Sequence, residues 1–142
     1  MHSDTLESLL VTTHRLARLA AQASGSRTPA AIWRTLAILE TEGPMRVGEL
    51  AAACRITQPG MTRTLATMVE EELVLRIADV DDSRAWLIKP TSKGISALNV
   101  WRTEIAATLE PWFGELTLAE WNTLAEAARI LEAHTASDAV VA

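Results

Sequence analysis

The sequence predicts a mainly α-helical fold carrying one small β-hairpin, and three observations point to it. Apolar residues recur every three to four positions over most of the chain, the spacing that puts them on one side of a helix. Thr, Pro and Gly then punctuate it into helix-sized segments. One stretch alone, Leu73 to Lys89, reads as two short β-rich runs around a polar turn.

Leu6, Leu9, Leu10, Thr13, Ala17 and Ala20 keep helical spacing up to the small-residue stretch Ala23 to Ser26, which predicts a first helix over 4–23. Thr28 followed by Pro29 supplies a side-chain cap and a first-turn proline, so a second helix runs to about Thr41, where Gly43 and Pro44 stop it. A short extended piece, Met45 to Val47, leads to a brief third helix over 49–55. Thr57 caps a fourth whose apolar face is Met61, Leu65, Met68 and Val69, leaving Gln58, Thr62, Arg63, Ala66 and Thr67 outward. Leu73 to Ala78 and Arg84 to Lys89 are the strands of the hairpin, joined by the turn Asp79 to Ser83. Thr91 caps a fifth helix with the stripe Ile95, Leu98, Ile105, Leu109 and Trp112, interrupted at Pro111. Thr117 and Glu120 form a capping box for a sixth, and Ala133 to Ala142 is expected to fray.

The 142 residues fit one domain, long enough to bury a core without disulfide or metal. A single cysteine, no bilayer-length apolar run and an N-terminus without signal-peptide character predict a cytoplasmic protein. The formal charge of −5 opposes phosphate binding, but its distribution matters more. From Arg46 to Lys93 seven basic residues balance seven acidic ones, so the flanks carry the whole deficit. Within that segment Arg46 to Met68 holds three Arg and one Glu, while the acids cluster at 70–72 and 79–82.

Two short helices joined by a tight turn and followed by a hairpin make a winged helix-turn-helix. The second helix of such a pair enters the major groove, where short polar side chains and Arg reach base edges. Gln58, Thr62, Arg63 and Thr67 suit that task. The hairpin can bring an Arg to the negative minor groove if a carboxylate fixes its direction, and Arg84 with Asp82 is the candidate pair.

Thr62, Arg63 and Leu65, then Leu73-Val74, Arg76, Asp82-Ser83-Arg84, and finally Thr91, Lys93 and Gly94 resemble the MarR (multiple antibiotic resistance regulator) family. The resemblance implies that the helix from Gln58 to Thr67 reads the major groove, that Arg84 enters the minor groove, and that Asp82 orients it. It also implies one domain over 1–142, with dimerisation helices in 1–27 and 95–142 around a DNA-binding lobe in 28–94. An effector pocket between lobe and dimer helices is a further implication, with Trp33 and Trp101 as candidate walls. Three positions depart from the family pattern: Glu72 replaces a helix-ending Gly, Arg55 a small residue, and Pro90 a Leu. A non-Gly residue in a left-handed cap costs on the order of 1–2 kcal/mol, so the helix before Glu72 either bears that strain or ends differently.

Other signals have plainer readings. Asp79, Asp81 and Asp82 suggest a calcium loop, but the twelfth position from Asp79 is Pro90 instead of a bidentate Glu. Cys54 shares a face with Leu50 and Ala51 and is expected to pack inward as a small hydrophobe. His2, His14 and His134 lack ligand spacing, so no metal or other cofactor is expected. The five Trp fall mostly on or near apolar stripes, as core or dimer packing requires. The outer helices lack the basic face that a membrane surface would need.

The expected function is sequence-specific binding of double-stranded DNA by a homodimer on an inverted, pseudo-palindromic repeat, as a repressor released by a small-molecule effector. Two alternatives stay open at this stage. One is a winged helix used only for protein contacts. The other, disfavoured because no nucleophile has a partnered base and no Gly-rich phosphate loop exists, is an enzyme using the inter-lobe pocket.

Overall fold

The chain folds as α1 (His2–Ala23), α2 (Ala30–Glu42), β1 (Met45–Arg46), α3 (Val47–Cys54), α4 (Gln58–Glu70), β2 (Val74–Ala78), β3 (Trp86–Pro90), α5 (Ser92–Leu109) and α6 (Leu118–Thr135). A 3-10 turn over Glu110–Phe113, with Pro111 in it, separates the last two helices. The structure is a computed structural model that describes residues 1–136. The expected six helices and hairpin are all present, and β1 adds a third strand in the order β1-β3-β2, antiparallel throughout.

Several boundaries shift by one or two residues from the sequence reading, among them the starts of α1 at His2 and of β3 at Trp86. Three of the differences bear on how the helices begin and end. Pro29 occupies the N-cap of α2 with no side-chain cap, so Thr28 is not the capping residue. The missing proline N–H is then simply one fewer orphan donor at the helix start. Helix α3 begins at Val47, two residues before Glu49, because Arg46 leaves β1 with extended backbone and serves directly as the N-cap. Helix α6 continues through Ala133 to Thr135, so the fray expected from Ala133 is absent there; residues 137–142 lie outside the described ones.

One core forms where α2, α3, α4, the sheet and the first half of α5 meet. Ile32, Leu36 and Leu39 from α2 pack with Leu50, Ala51 and Cys54 from α3 and Met61, Leu65 and Met68 from α4. Leu73, Val74, Ile88 and Leu98 close it. Cys54 is buried as expected, 3.7 Å from the Thr35 hydroxyl. The outer helices contribute almost nothing: α1 buries Ala20 alone and α6 no residue. Leu6, Leu10 and Val11 on α1 and Leu118, Trp121, Leu124 and Ile130 on α6 stay exposed in the single chain. Of the five Trp, Trp33 and Trp101 pack against the core while Trp86, Trp112 and Trp121 are exposed. No helix among the described residues is long and apolar enough to cross a membrane.

Candidate nucleic-acid interface

Helix α4 is set by its own ends. The Thr57 hydroxyl accepts the Gly60 N–H at 3.1 Å, with Pro59 in the first turn, so the start of the helix is fixed locally. Burial of Met61, Leu65 and Met68 then fixes its rotation, because residues three and four apart share a face. Thr62, Arg63 and Thr67 are left exposed away from that stripe, while Gln58, exposed in the first turn, lies in line with Met61 and Leu65 and reaches toward Gly48 of α3. The Thr62 hydroxyl donates to the Gln58 carbonyl at 3.0 Å, which leaves its lone pairs outward as acceptors.

Both α3 and α4 end in left-handed, non-glycine residues. Arg55 (φ 57°) closes α3, with Ile56 N–H on the Ala51 carbonyl and Arg55 N–H on that of Ala52. Glu72 (φ 60°) closes α4, with Leu73 N–H on the Met68 carbonyl and Glu72 N–H on that of Val69. These paired bonds are the Schellman pattern, so the helix before Glu72 keeps the left-handed cap and bears its strain. Burial of Leu73 just past that cap contributes the accompanying apolar contact.

The wing turn is built from aspartates. Asp79 N–H donates to the Ala85 carbonyl (3.1 Å), and Ala85 N–H donates to that of Asp82 (3.0 Å). The Asp82 carboxylate accepts the Arg84 backbone N–H at 3.0 Å. Asp82 therefore fixes the main chain at Arg84 and makes no ion pair with its guanidinium, which corrects the side-chain pairing read from the sequence. An Asx turn engages the carboxylate before the Arg side chain can reach it. The Asp79 carboxylate accepts Asp81 N–H at 3.0 Å, and its other oxygen receives Arg46 Nε at 3.0 Å and Nη2 at 2.7 Å. The Asp81 N–H, then the Arg46 guanidinium, hold this carboxyl below the usual carboxylate range, and hydrogen bonding to Asp79 raises the Arg46 pKa in turn. This contact joins residues 33 positions apart and is not visible in the spacing.

Among the described residues Arg55, Arg63, Arg76, Arg84 and Lys89 make no ion pair, whereas Lys93 reaches Glu72 at 3.5 Å. The helix-turn-helix and wing thus carry cations without neutralising partners despite the acidic total, as phosphate contact requires. Away from them, the Trp33 and Trp101 rings stack with centroids 5.1 Å apart and an interplanar angle of 12°. A cleft of about 460 Å³ beside them is lined by Ser26, Thr28, Lys93 and Glu104 among others. Trp33 Nε1 is buried and has no hydrogen-bond partner among the described residues.

A helix pair that presents one polar face, with a three-stranded sheet ending in a wing beside it, defines the winged helix-turn-helix class. Residues 30–86 match the model of the MarR family. Members of the family are DNA-binding transcription regulators. Among solved structures, wild-type apo MarR from E. coli superimposes with a TM-score of 0.67 at 20% identity, over 88% of this chain and 94% of that one. A MarR family protein from Bacillus stearothermophilus gives 0.68 at 20% identity over 92% and 93%. A transcriptional regulator from Thermotoga maritima gives 0.67 at 18% identity over 92% and 91%. At these identities the likeness concerns the fold. No curated protein matches the sequence.

Proposed function

We propose that the chain is a cytoplasmic, sequence-specific regulator of transcription that binds double-stranded DNA as a homodimer, and that it represses until an effector releases it. The observation that carries this reading is the exposed set Thr62, Arg63 and Thr67 along α4, with Gln58 at its start, beside a wing bearing Arg84 without an ion-pair partner among the described residues. Side chains of these types read base edges from a helix, while a wing Arg favours a narrow minor groove. Residues 28–94 then form the reading lobe, and 1–27 with 95–142 the dimerisation part. Support for the dimer comes from the apolar residues that α1 and α6 expose, a surface that a second copy would bury.

Two reading helices related by a twofold axis would enter successive major grooves about 34–36 Å apart. An effector held at the Trp33–Trp101 cleft, next to the buried donor Trp33 Nε1, would release DNA by favouring a dimer whose helices miss that spacing.

The test is enrichment of a duplex from a randomised pool, followed by fluorescence anisotropy through a salt series. The expected result is an inverted repeat bound in the nanomolar range with affinity falling as salt rises, weakened by Arg63→Ala and by Arg84→Ala. A pool from which no sequence is enriched, with binding no tighter than to random DNA, would leave the winged helix as a protein-contact module.

A further inference from the structure

The wing has almost no apolar packing of its own. Val80 at its tip is 98% exposed and Trp86 at the start of β3 is 57% exposed. What gives the turn a defined direction is a set of polar contacts that converge on Asp79, the one charged residue buried among those described. Its carboxylate takes Asp81 N–H on one oxygen and a two-pronged Arg46 guanidinium on the other. Its own N–H closes the turn on the Ala85 carbonyl, next to Arg84.

Arg46 sits at the other end of this chain of contacts. It pairs with Leu87 in the sheet and is the N-cap of α3, the helix packed against α4. The guanidinium therefore ties the wing root to the helix pair through two charge-assisted hydrogen bonds, from Nε and Nη2, that converge on the single oxygen Oδ2 and so restrict its orientation as well as its distance. A simple surface ion pair would lack both the second prong and the buried acceptor.

We propose that Arg46 and Asp79 form a latch that sets the wing's direction relative to α4, which makes Arg46 a positioning residue for Arg84. The proposal rests on the DNA-binding reading for its consequence but not for its structural content. Loss of the latch leaves the strands paired and the core intact, while the turn over 80–85 samples several directions and Arg84 meets the minor groove in only some of them.

Two measurements on the full chain test it. Amide hydrogen exchange compares the unaltered protein with Arg46→Gln and with Asp79→Asn, the latter keeping an acceptor for Asp81 N–H. Exchange over 80–85 should rise at least about fivefold while that of 61–69 in α4 stays unchanged. Unchanged exchange over 80–85 in both variants overturns the latch.

The second is a double-mutant cycle on the enriched duplex. Arg46→Gln should weaken binding about tenfold in the unaltered background and less than about twofold when Arg84 is already Ala, because it acts through Arg84. Equal penalties in the two backgrounds would show that Arg46 acts by another route and overturn the positioning role. If the unaltered chain binds no duplex, the DNA reading fails while the exchange data still decide the latch.

Discussion

The Thr91 hydroxyl donates to the Glu72 carbonyl at 2.6 Å and accepts the Gly94 N–H at 2.9 Å. One side chain thereby caps α5 and holds the end of α4, and Thr91 N–H adds a bond to the Leu73 carbonyl at 3.0 Å. The first turn of α5 is seated directly on the end of α4. A change in the direction of α5 has a short, stiff route to α4, which is what the proposed effector release would use.

That seat has no room for a side chain at position 94. A Cβ on Gly94 would lie 2.1 Å from the Leu73 carbonyl oxygen and 3.1 Å from Leu36 Cδ2. The nearest atom is backbone, so α5 must lift away from β2 to admit even a methyl group. Gly94→Ala should cost about 3 kcal/mol or more, at the upper end of what overpacking does. A urea unfolding curve checks this, and a midpoint within error of the unaltered chain would mean that the junction is looser than described.

Glu72 should be replaceable by Gly at little or no cost. At φ 60° a residue with a Cβ bears roughly 1–2 kcal/mol of strain, which Gly relieves in part, since Gly loses about 0.5–1 kcal/mol through greater unfolded-state freedom. The exposed Glu72–Lys93 ion pair, which Gly cannot make, is worth about 0–1 kcal/mol. These contributions nearly cancel, so Glu72→Gly is expected to leave stability within about 1 kcal/mol of the unaltered chain in the same unfolding assay, whereas Gly in place of an unstrained residue would only lose stability. A clear decrease would show that the Glu72 side chain, and not only its carbonyl, holds the junction.

The stacked pair Trp33–Trp101 joins α2 to α5 beside the cleft. Truncating a core Trp costs about 3–5 kcal/mol, and an aromatic pair adds about 0.5–1.5 kcal/mol beyond area. Because both rings are only partly buried, Trp101→Ala should destabilise by about 2–3 kcal/mol and Trp101→Phe by clearly less. Chemical denaturation of both variants measures the difference. Equal effects would argue that shape at this position matters and stacking does not.

Legibility in the sequence follows the range of each interaction. Helices α4, α5 and α6 can be placed from Thr57, Thr91 and Thr117 because a cap and its target lie three residues apart, and all three hydroxyls make the expected bonds. The polar face of α4 follows from the same local spacing. The start of α3 is not legible, because it depends on Arg46 pairing with Leu87 in a strand 41 positions on. The Arg46–Asp79 contact is hidden for the same reason, and the aspartates of the turn suggest a metal loop or an Asp82–Arg84 ion pair instead. Nothing in the order of residues distinguishes a carboxylate that binds a backbone N–H from one that binds the next Arg. That choice is made by the turn.

The latch also predicts an acid limit. With the Asp81 N–H first and Arg46 second, the Asp79 carboxyl is held below its unfolded value of about 3.9. A carboxyl whose folded pKa is depressed stabilises the folded state fully above the unfolded pKa, and that contribution disappears as pH falls through the folded value. The wing should therefore stay fixed at neutral and mildly acidic pH and loosen only below about pH 4. The Asp82 and Glu49 carboxylates also act on the Arg46 guanidinium, more weakly than Asp79 does. A carbon-13 titration of the Asp79 side chain reads the midpoint directly. It should lie below about 3.9 and rise in Arg46→Gln without reaching the unfolded value, because the larger influence, Asp81 N–H, remains. A midpoint that does not move in Arg46→Gln would mean that the guanidinium does not engage the carboxylate in solution.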